Sequence, residues 1–135
     1  MCVKKGKLAN VVFGPSHYEE EMDKLYSVSY ASIAVLRDLE VAKSMRLSKI
    51  FPSLSCGVPV IYSGNGEAAD VIRDNQCGVT VPPDDSPALA DAIQQLAADG
   101  ERRADLGRIA RKFVESDYSW KIIVSRWIQE FEVAF

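Results

Sequence analysis

A glycine-rich turn, Ser63-Gly64-Asn65-Gly66, is the first segment whose composition indicates chemistry. Gly64 and Gly66 have no side chains, so backbone N–H groups there can approach an anion at the positive end of the helix predicted to begin at Glu67. A phosphate group suits such a turn. The geometry of a tight connection between a strand and a helix explains the same two glycines equally well. Both interpretations stay open at this point.

Ser48 and Lys49 begin a second predicted helix. A hydroxyl cap, a free amine and the helix dipole together suit a diphosphate. Serine is also an ordinary N-cap residue, so the cap alone does not require a ligand. We expect the helix starts at Ser48 and Gly66 to converge on one pocket that holds a pyrophosphate.

The histidine, cysteine and acidic residues argue against a nucleophilic catalytic site and against a metal site. His17 is the only histidine and lies far from these turns in the sequence, which argues against a Ser/His/Asp or Cys/His relay. Cys2, Cys56 and Cys77 are odd in number, widely spaced and without a C-x-x-C pair, which predicts neither a disulfide framework nor a zinc site. The acidic triplet 19–21 is typical of a stabilised helix start. We therefore assign no catalytic residue and no metal ligand.

The elements that must position these turns alternate between strand and helix. Short β-branched runs predict four strands, at Asn10–Phe13, Ser32–Leu36, Val58–Tyr62 and Val79–Val81. Helices are predicted after the first strand, over Ser48–Cys56 and over Glu67–Asn75, and residues 37–47 are predicted to form a loop. Since parallel neighbours need crossovers between them, this order predicts an α/β, Rossmann-like, three-layer parallel sheet. Ligands are then expected outside the carboxyl ends of the strands.

Three helices are predicted in the C-terminal third. Ser86 is the expected cap of the first, with Pro87 at its first position and Gly100 at its end, and Ser119 is the expected cap of the last. The last helix carries an apolar stripe with Trp120 and Trp127, which we interpret as a packing surface and not as a cofactor site. We expect this helix to dock on its own sheet or on another partner.

Composition places the chain among ordinary globular domains. Its 135 residues are 47% hydrophobic and 26% charged, with a net charge of −3, so residues 1–135 can form one domain with a normal core. The charges are interspersed, which argues against nucleic acid as a partner. No apolar run reaches the roughly 18 residues of a membrane span. The first seven residues lack the apolar region of a signal peptide, so we expect a cytoplasmic protein.

A series of short motifs resembles those of a known family. In order they are Leu36-Arg37-Asp38, Ser48-Lys49-Ile50-Phe51, Cys56-Gly57-Val58-Pro59-Val60-Ile61, Gly66-Glu67-Ala68-Ala69 and Gly78-Val79-Thr80-Val81-Pro82-Pro83-Asp84. Their order and spacing, from about Asn10 to Trp120, resemble the C-terminal domain of family 4 (group 1) glycosyltransferases of the GT-B fold. No single motif among them is diagnostic.

The resemblance implies the transfer of a sugar from a nucleotide-diphosphate sugar to an acceptor. It implies that Ser48 and Lys49 face the phosphates or ribose of the donor, that the turn at Gly64 and Gly66 borders the same cleft with Glu67, and that Arg37 adds positive charge. It also implies a metal-free, cofactor-free reaction, because helix dipoles and basic side chains stabilise the leaving diphosphate.

Departures from the family pattern weaken the expectation of activity. The family commonly places a Glu after the Ser-Lys stretch and another eight residues earlier, where this chain has Pro52 and Ser44. The resemblance also begins at what looks like the third strand of the C-terminal domain, so an N-terminal domain or a partner chain would have to supply the rest. The interpretations left open are a transferase domain, a non-catalytic donor-binding subunit and an inactive fragment.

Loss of the first two strands would leave an edge of the Ser32–Leu36 strand uncovered. An uncovered apolar edge invites pairing with another chain. We expect either that the Asn10–Phe13 strand lies beside the Ser32–Leu36 strand, or that two copies exchange elements across this edge as a homodimer.

Overall fold

A parallel sheet of three strands organises the computed structural model, which describes residues 8–17, 19–45 and 47–134. The strands are β1 (Ser32–Val35), β2 (Val60–Ser63) and β3 (Gly78–Val81), in the spatial order β1-β2-β3. Ile33 lies beside Ile61, which lies beside Val79. The predicted parallel α/β class is confirmed, with three strands in place of about four.

Helices connect and cover these strands. They are α1 (Glu19–Ser27), α2 (Glu40–Lys43), α3 (Phe51–Ser55), α4 (Glu67–Asp74), α5 (Ser86–Ala98), α6 (Gly100–Phe113) and α7 (Trp120–Ala134). A 3₁₀ turn over Ser48–Ile50 precedes α3, and a π-helical turn over Val114–Tyr118 joins α6 to α7. The three predicted C-terminal helices are therefore present, and residues 37–47, predicted to be a loop, contain α2.

Two apolar clusters place the sheet in the middle of three layers. On one face, Tyr62 is buried with Leu54 of α3, Ile72 of α4 and Ala110 of α6. On the other face, four buried residues join the sheet to α5, namely Ile61, Val81, Ala92 and Leu96. All four residues of β2 are buried, as expected for the central strand of a parallel sheet covered on both sides.

The predicted strand at Asn10–Phe13 is wrong. These residues take no regular structure and are exposed, with Val12 at 89% of its full accessibility. A β-branched run becomes a strand only where a neighbour takes up its backbone hydrogen bonds and a layer covers its apolar face. Because β1 pairs only with β2 among the described residues, the expected alignment of this run beside β1 is wrong as well.

The predicted helix over Ser48–Cys56 is divided in two. Its first turn is the 3₁₀ turn, and no side chain caps it, so the predicted capping role of Ser48 is wrong. Pro52 falls in the first turn of α3. Its missing N–H needs no partner at that position, which explains why a proline is tolerated there.

The boundaries of α5 and α6 also differ from the prediction. Asp85, and not Ser86, caps α5, because its carboxylate accepts a hydrogen bond from the Ala88 N–H at 2.9 Å. The predicted end of α5 at Gly100 is wrong, since α5 ends at Ala98 and Gly100 begins α6. Asp99 caps α6. Aspartate accepts hydrogen bonds from the free N–H groups of a helix start as well as serine does. The sequence alone therefore did not decide whether Asp85 or Ser86 is the cap.

The C-terminal helix α7 does not dock on the sheet. Its apolar face is largely exposed, with Trp120 at 81% and Trp127 at 65% of full accessibility. An ion pair of 2.8 Å between Arg126 and Asp117 holds α7 against the π-helical turn, and the Ser119 hydroxyl accepts a hydrogen bond from the Ile122 N–H at 3.4 Å. In the described ranges, no helix combines the length and the apolar character that crossing a membrane requires.

Candidate functional site at the carboxyl edge of the sheet

All three strands end at the same edge, and the loops that follow them are in contact. The backbone N–H of Gly64, after β2, donates to the Val81 carbonyl at 3.1 Å. The Ser63 hydroxyl donates to the Pro82 carbonyl at 3.0 Å. These bonds bring the loops after β2 and β3 together at the edge where parallel α/β sheets bind their ligands.

A hydrogen bond also joins the loops that follow the two outer strands. The Asp38 backbone N–H, after β1, donates to a carboxylate oxygen of Asp84, after β3, at 3.1 Å. Asp84 adopts a φ of +56°, in the left-handed region that Asp tolerates better than most residues. The two loops therefore meet over the carboxyl end of β2.

A cavity of about 210 Å³ opens at this edge. It is lined by Val35, Leu36, Arg37, Ser63, Asp84, Asp85, Ser86 and Leu89. Ligand pockets for small molecules are commonly 300–1,000 Å³, so this volume is enough for part of a larger ligand. Of its polar residues, Arg37 was predicted as a site residue and Ser63 belongs to the predicted glycine-rich turn. The pair Asp84-Asp85 was missed, and its position directly after a strand was the available signal.

The glycine-rich turn is shaped by close packing. Gly66 has a φ of +82°, and a Cβ at this position would lie 2.1 Å from the Lys43 carbonyl oxygen. A Cβ on Gly64 would lie 2.6 Å from the Tyr62 hydroxyl. Both glycines are thus required by the fold, as the turn interpretation expects. The N-cap residue of α4 is Gly66, which has no side chain, so a role of this helix start in anion binding is compatible with the packing.

Tyr62 has a polar atom at this turn that the sequence did not single out. Its hydroxyl is buried, and among the described residues it has no hydrogen-bond partner. Burial raises the pKa of this phenol, so the hydroxyl stays protonated at neutral pH. Tyr62 is therefore the one buried side chain in the described residues whose polar atom lacks a partner, and it lies directly under Gly64.

Ser48 lines a different cavity from Arg37. That cavity has about 680 Å³, lies between α3, the π-helical turn and α7, and includes Phe51, Tyr118 and Trp127. The close approach of Lys43 to Gly66 does place the segment that leads to Ser48 over the start of α4. The expected convergence of the helix starts at Ser48 and Gly66 on one pocket stays a prediction.

Arg37 and Lys49 are exposed cations without partners among the described residues. Neither side chain makes a hydrogen bond or ion pair with any residue in the ranges 8–17, 19–45 and 47–134. Lys43 differs, because its amine binds Glu40 at 2.7 Å, and this carboxylate raises the pKa of Lys43. Arg37 and Lys49 can therefore contact an anionic ligand without breaking a hydrogen bond or ion pair to a described residue.

Other reactive residues lie outside this site. His17 contacts Glu21 on the surface at 3.3 Å, and Cys2 lies outside the described residues. Burial raises the pKa of the Cys77 thiol to about 11, so it is protonated at neutral pH. No three His, Cys, Asp or Glu side chains in the described part of the chain are arranged to hold a metal ion.

Comparison with known proteins identifies relatives of this chain. The sequence profile of the family described as "Glycosyl transferases group 1" matches residues 3–113. A GDP-mannose-dependent monoacylated alpha-(1-6)-phosphatidylinositol monomannoside mannosyltransferase of Corynebacterium glutamicum is 35% identical over 72 residues, which are 53% of this chain and 19% of that protein. Spore coat protein SA of Bacillus subtilis is 25% identical over 83 residues, which are 61% of this chain and 22% of that protein.

A solved structure shows the same fold. The sucrose-phosphate synthase of Thermosynechococcus elongatus superposes with a TM-score of 0.64 at 28% sequence identity, over 82% of this chain and 27% of that chain. The fold is thus that of a GT-B Rossmann-like domain. The chain spans about a fifth of the length of the curated relatives that it matches.

Proposed function

The chain belongs to the group 1 glycosyl transferases, and from that premise we propose that it is the donor-binding domain of an enzyme that transfers a sugar from a nucleotide-sugar to an acceptor. Its mannosyltransferase relatives are named as GDP-mannose-dependent. A nucleoside diphosphate sugar is accordingly the donor class that we assign to this chain. Its base and sugar are left to experiment.

The availability of Arg37 and Lys49 is the observation that carries this proposal. Both cations are exposed and unpaired among the described residues. Arg37 stands at the carboxyl edge of the sheet and lines the same cavity as Ser63, the residue before the loop to α4. In the proposed complex, Arg37 and Lys49 contact the diphosphate, while Gly64 and the amides at Gly66 provide the neutral side of the pocket. Ser48 and Glu67 complete it through hydrogen bonds to phosphate or ribose.

The proposed arrangement would act on the leaving diphosphate during the reaction. When the bond between sugar and diphosphate breaks, negative charge develops on the leaving phosphate oxygens. In the proposed complex, cations and backbone N–H groups around the diphosphate stabilise that charge. Helix dipoles act in the same direction. We propose that these groups replace a metal ion as the stabiliser of the diphosphate.

The proposed enzyme needs a second part for turnover. The carboxyl-edge cavity of about 210 Å³ is too small for a complete nucleotide-sugar. Transition-state stabilisation in a two-domain cleft depends on groups held by both domains at once. We therefore propose that an N-terminal domain or a partner chain binds the acceptor, that the isolated chain binds donor without turnover, and that the complex works in the cytoplasm.

A non-catalytic donor-binding subunit is the second candidate. The departures at Pro52 and Ser44 raise this candidate, because the resemblance implies carboxylates at both positions, and donor binding would then depend on Arg37, Lys49 and the helix starts. Neither residue can supply the charge-assisted hydrogen bonds that a carboxylate gives to ribose hydroxyls. An inactive fragment would share this sequence feature, but it would not need to bind a nucleotide.

Calorimetric titration of the intact chain with GDP and with UDP tests the proposal. We expect one of the two to bind, and Lys49→Ala and Arg37→Ala each to weaken binding about tenfold through loss of a charge-assisted contact. Lys112→Ala, an equal loss of charge on the exposed face of α6, is the control and should leave affinity unchanged. If neither nucleotide binds, or if all three variants bind equally, the donor site is not here.

A further inference from the structure

The hydroxyl of Tyr62 is buried in the core without a hydrogen-bond partner among the described residues. The side chain is 0% exposed, and no described residue lies in position to bond its hydroxyl. Buried polar groups nearly always have a partner, so each exception calls for a physical reason. Phenylalanine would fill the same space without the cost of burying an unbonded hydroxyl. The hydroxyl thus carries a cost in the free chain that a hydrogen bond formed in a complex would offset.

This hydroxyl lies beneath the glycine-rich turn. A Cβ on Gly64 would lie 2.6 Å from the hydroxyl oxygen, so the Cα of Gly64 packs directly against it. The Gly64 carbonyl is attached to the same Cα, and rotation about the bond between them moves the carbonyl oxygen toward or away from the hydroxyl. Gly64 is buried and Asn65 is exposed, so the peptide group between them extends from the interior to the surface. This peptide can face the hydroxyl on one side and a ligand on the other.

Both ends of the turn are held in place, whereas the peptide between Gly64 and Asn65 is not. The Gly64 N–H donates to the Val81 carbonyl at 3.1 Å, and the Gly66 carbonyl accepts a hydrogen bond from the Asp70 N–H at 3.1 Å. Asn65 makes no hydrogen bond with any residue that the structure describes. Opposite rotations of ψ at Gly64 and φ at Asn65 therefore turn this peptide without moving the ends of the turn. Glycine and asparagine are the residue types that tolerate such changes best.

We propose that Tyr62 is a positioning residue of the donor site, whose hydroxyl holds the Gly64 carbonyl inward when a diphosphate binds the turn; this inference rests on the proposed function. The N–H and C=O groups of a trans peptide point in opposite directions. When the Asn65 N–H turns outward to a phosphate oxygen at the start of α4, the Gly64 carbonyl turns inward and accepts a hydrogen bond from the Tyr62 hydroxyl. A carbonyl oxygen that would repel the phosphate is thereby directed away from it, at the end of α4 where the helix dipole favours an anion. The hydroxyl oxygen itself is fully buried, so it acts through the turn and not by touching the ligand.

Tyr62→Phe removes only the hydroxyl and keeps the ring in the core. In calorimetric titration with whichever of GDP and UDP binds the wild-type chain, we expect this variant to bind about fivefold more weakly, which is the effect of losing one neutral hydrogen bond. Tyr30→Phe is the matched control, because it removes an exposed hydroxyl before the amino end of β1 and keeps the ring beside Arg103. It should leave affinity unchanged. Equal affinity of Tyr62→Phe and the wild type overturns this inference alone, whereas a wild-type chain that binds neither nucleotide overturns the proposed function and this inference with it.

Two further measurements separate this positioning role from a purely structural one. In urea, the free Tyr62→Phe chain should unfold at the same or a higher denaturant concentration than the wild type, because it loses no hydrogen bond to a described residue. In the wild-type chain isotopically labelled at the tyrosine Cζ, the magnetic resonance signal of Tyr62 should move as nucleotide saturates the site, while that of Tyr30 stays in place. A Tyr62 signal that does not move at saturation overturns the proposed hydrogen bond. A Tyr62→Phe chain that unfolds at a clearly lower urea concentration overturns it as well.

Discussion

Asp38 and Asp84 are joined across the carboxyl edge of the sheet by a hydrogen bond of 3.1 Å, in which a backbone N–H donates to a carboxylate. The two residues follow the outer strands β1 and β3, so their bond passes over the end of the central strand β2. It fixes the position of the loop that carries Arg37. The geometry of the candidate site thus depends on a contact between residues 46 positions apart.

The link between Asp38 and Asp84 gives the first prediction. Asp84→Ala removes the acceptor and leaves a φ of +56° that alanine tolerates poorly, so we expect a loss of about 1–3 kcal/mol of unfolding free energy. Asp84→Asn keeps an acceptor oxygen and the same backbone preference, so it should lose much less. Urea denaturation monitored by circular dichroism measures both. Equal stability of the two variants would show that the bond has no structural role.

Gly66 gives the second prediction. Alanine there combines a backbone conformation reserved for glycine with a Cβ only 2.1 Å from the Lys43 carbonyl oxygen. We expect Gly66→Ala to lose about 3 kcal/mol or more of unfolding free energy. Gly100→Ala is the matched control, because the nearest atom to its Cβ would be 3.6 Å away, and it should change stability by less than about 1 kcal/mol. A Gly66→Ala protein as stable as the control would contradict the close packing of α2 on the turn.

The cysteines give the third prediction. Cys77 is buried, which keeps a reagent away from its thiol. Burial also raises its pKa to about 11, so at pH 8 roughly one thiol in a thousand is ionised. Cys56 is partly exposed. Labelling of the folded chain with a thiol reagent, followed by peptide mass spectrometry, should modify Cys56 well before Cys77. In urea the two should react alike, and rapid labelling of Cys77 without urea would show that α4 and β3 open locally.

The ion pair at the base of α7 gives a prediction of pH dependence. Arg126 and the Ser116 hydroxyl bind the Asp117 carboxylate and lower its pKa. Because this pKa is lower in the folded than in the unfolded chain, the pair stabilises α7 above the unfolded pKa of Asp117, and the stabilisation is lost as pH falls through the folded pKa.

Amide hydrogen exchange of α7 measures this effect. We expect protection of α7 to fall at acidic pH more than protection of α5. Asp117→Asn should remove that extra pH dependence, whereas Glu130→Gln, on α7 itself, should preserve it. If the protection of α7 falls equally with pH in both variants, carboxylates other than Asp117 cause the pH dependence.

The strands that form the sheet were predictable because burial on two faces selects their residues. The runs at Ser32–Leu36 and Val58–Tyr62 agree with β1 and β2 to within two residues at each end. The run at Asn10–Phe13 has the same β-branched composition but no neighbour to bond to. Composition reports the tendency of a segment to pair, and only the tertiary structure decides whether a partner is present.

The candidate site was predictable in part for a similar reason. The turn at Gly64 and Gly66 was visible because glycine is the local signature of a tight turn. The bond between Asp38 and Asp84 was not, since nothing local to either residue indicates the other. The exposed face of α7 shows a further limit, because its apolar stripe predicted a packing surface, whereas Trp120 and Trp127 are exposed in the described structure.

A nuclear magnetic resonance titration of the isotopically labelled chain with the nucleoside diphosphate that binds locates the donor site residue by residue. If the carboxyl edge holds the diphosphate, the largest amide shifts will be at Arg37, Ser48, Lys49, Gly64, Gly66 and Glu67, and they will saturate with one affinity. Shifts confined to α5, α6 and α7, or no shifts at millimolar nucleotide, would contradict a donor site at this edge.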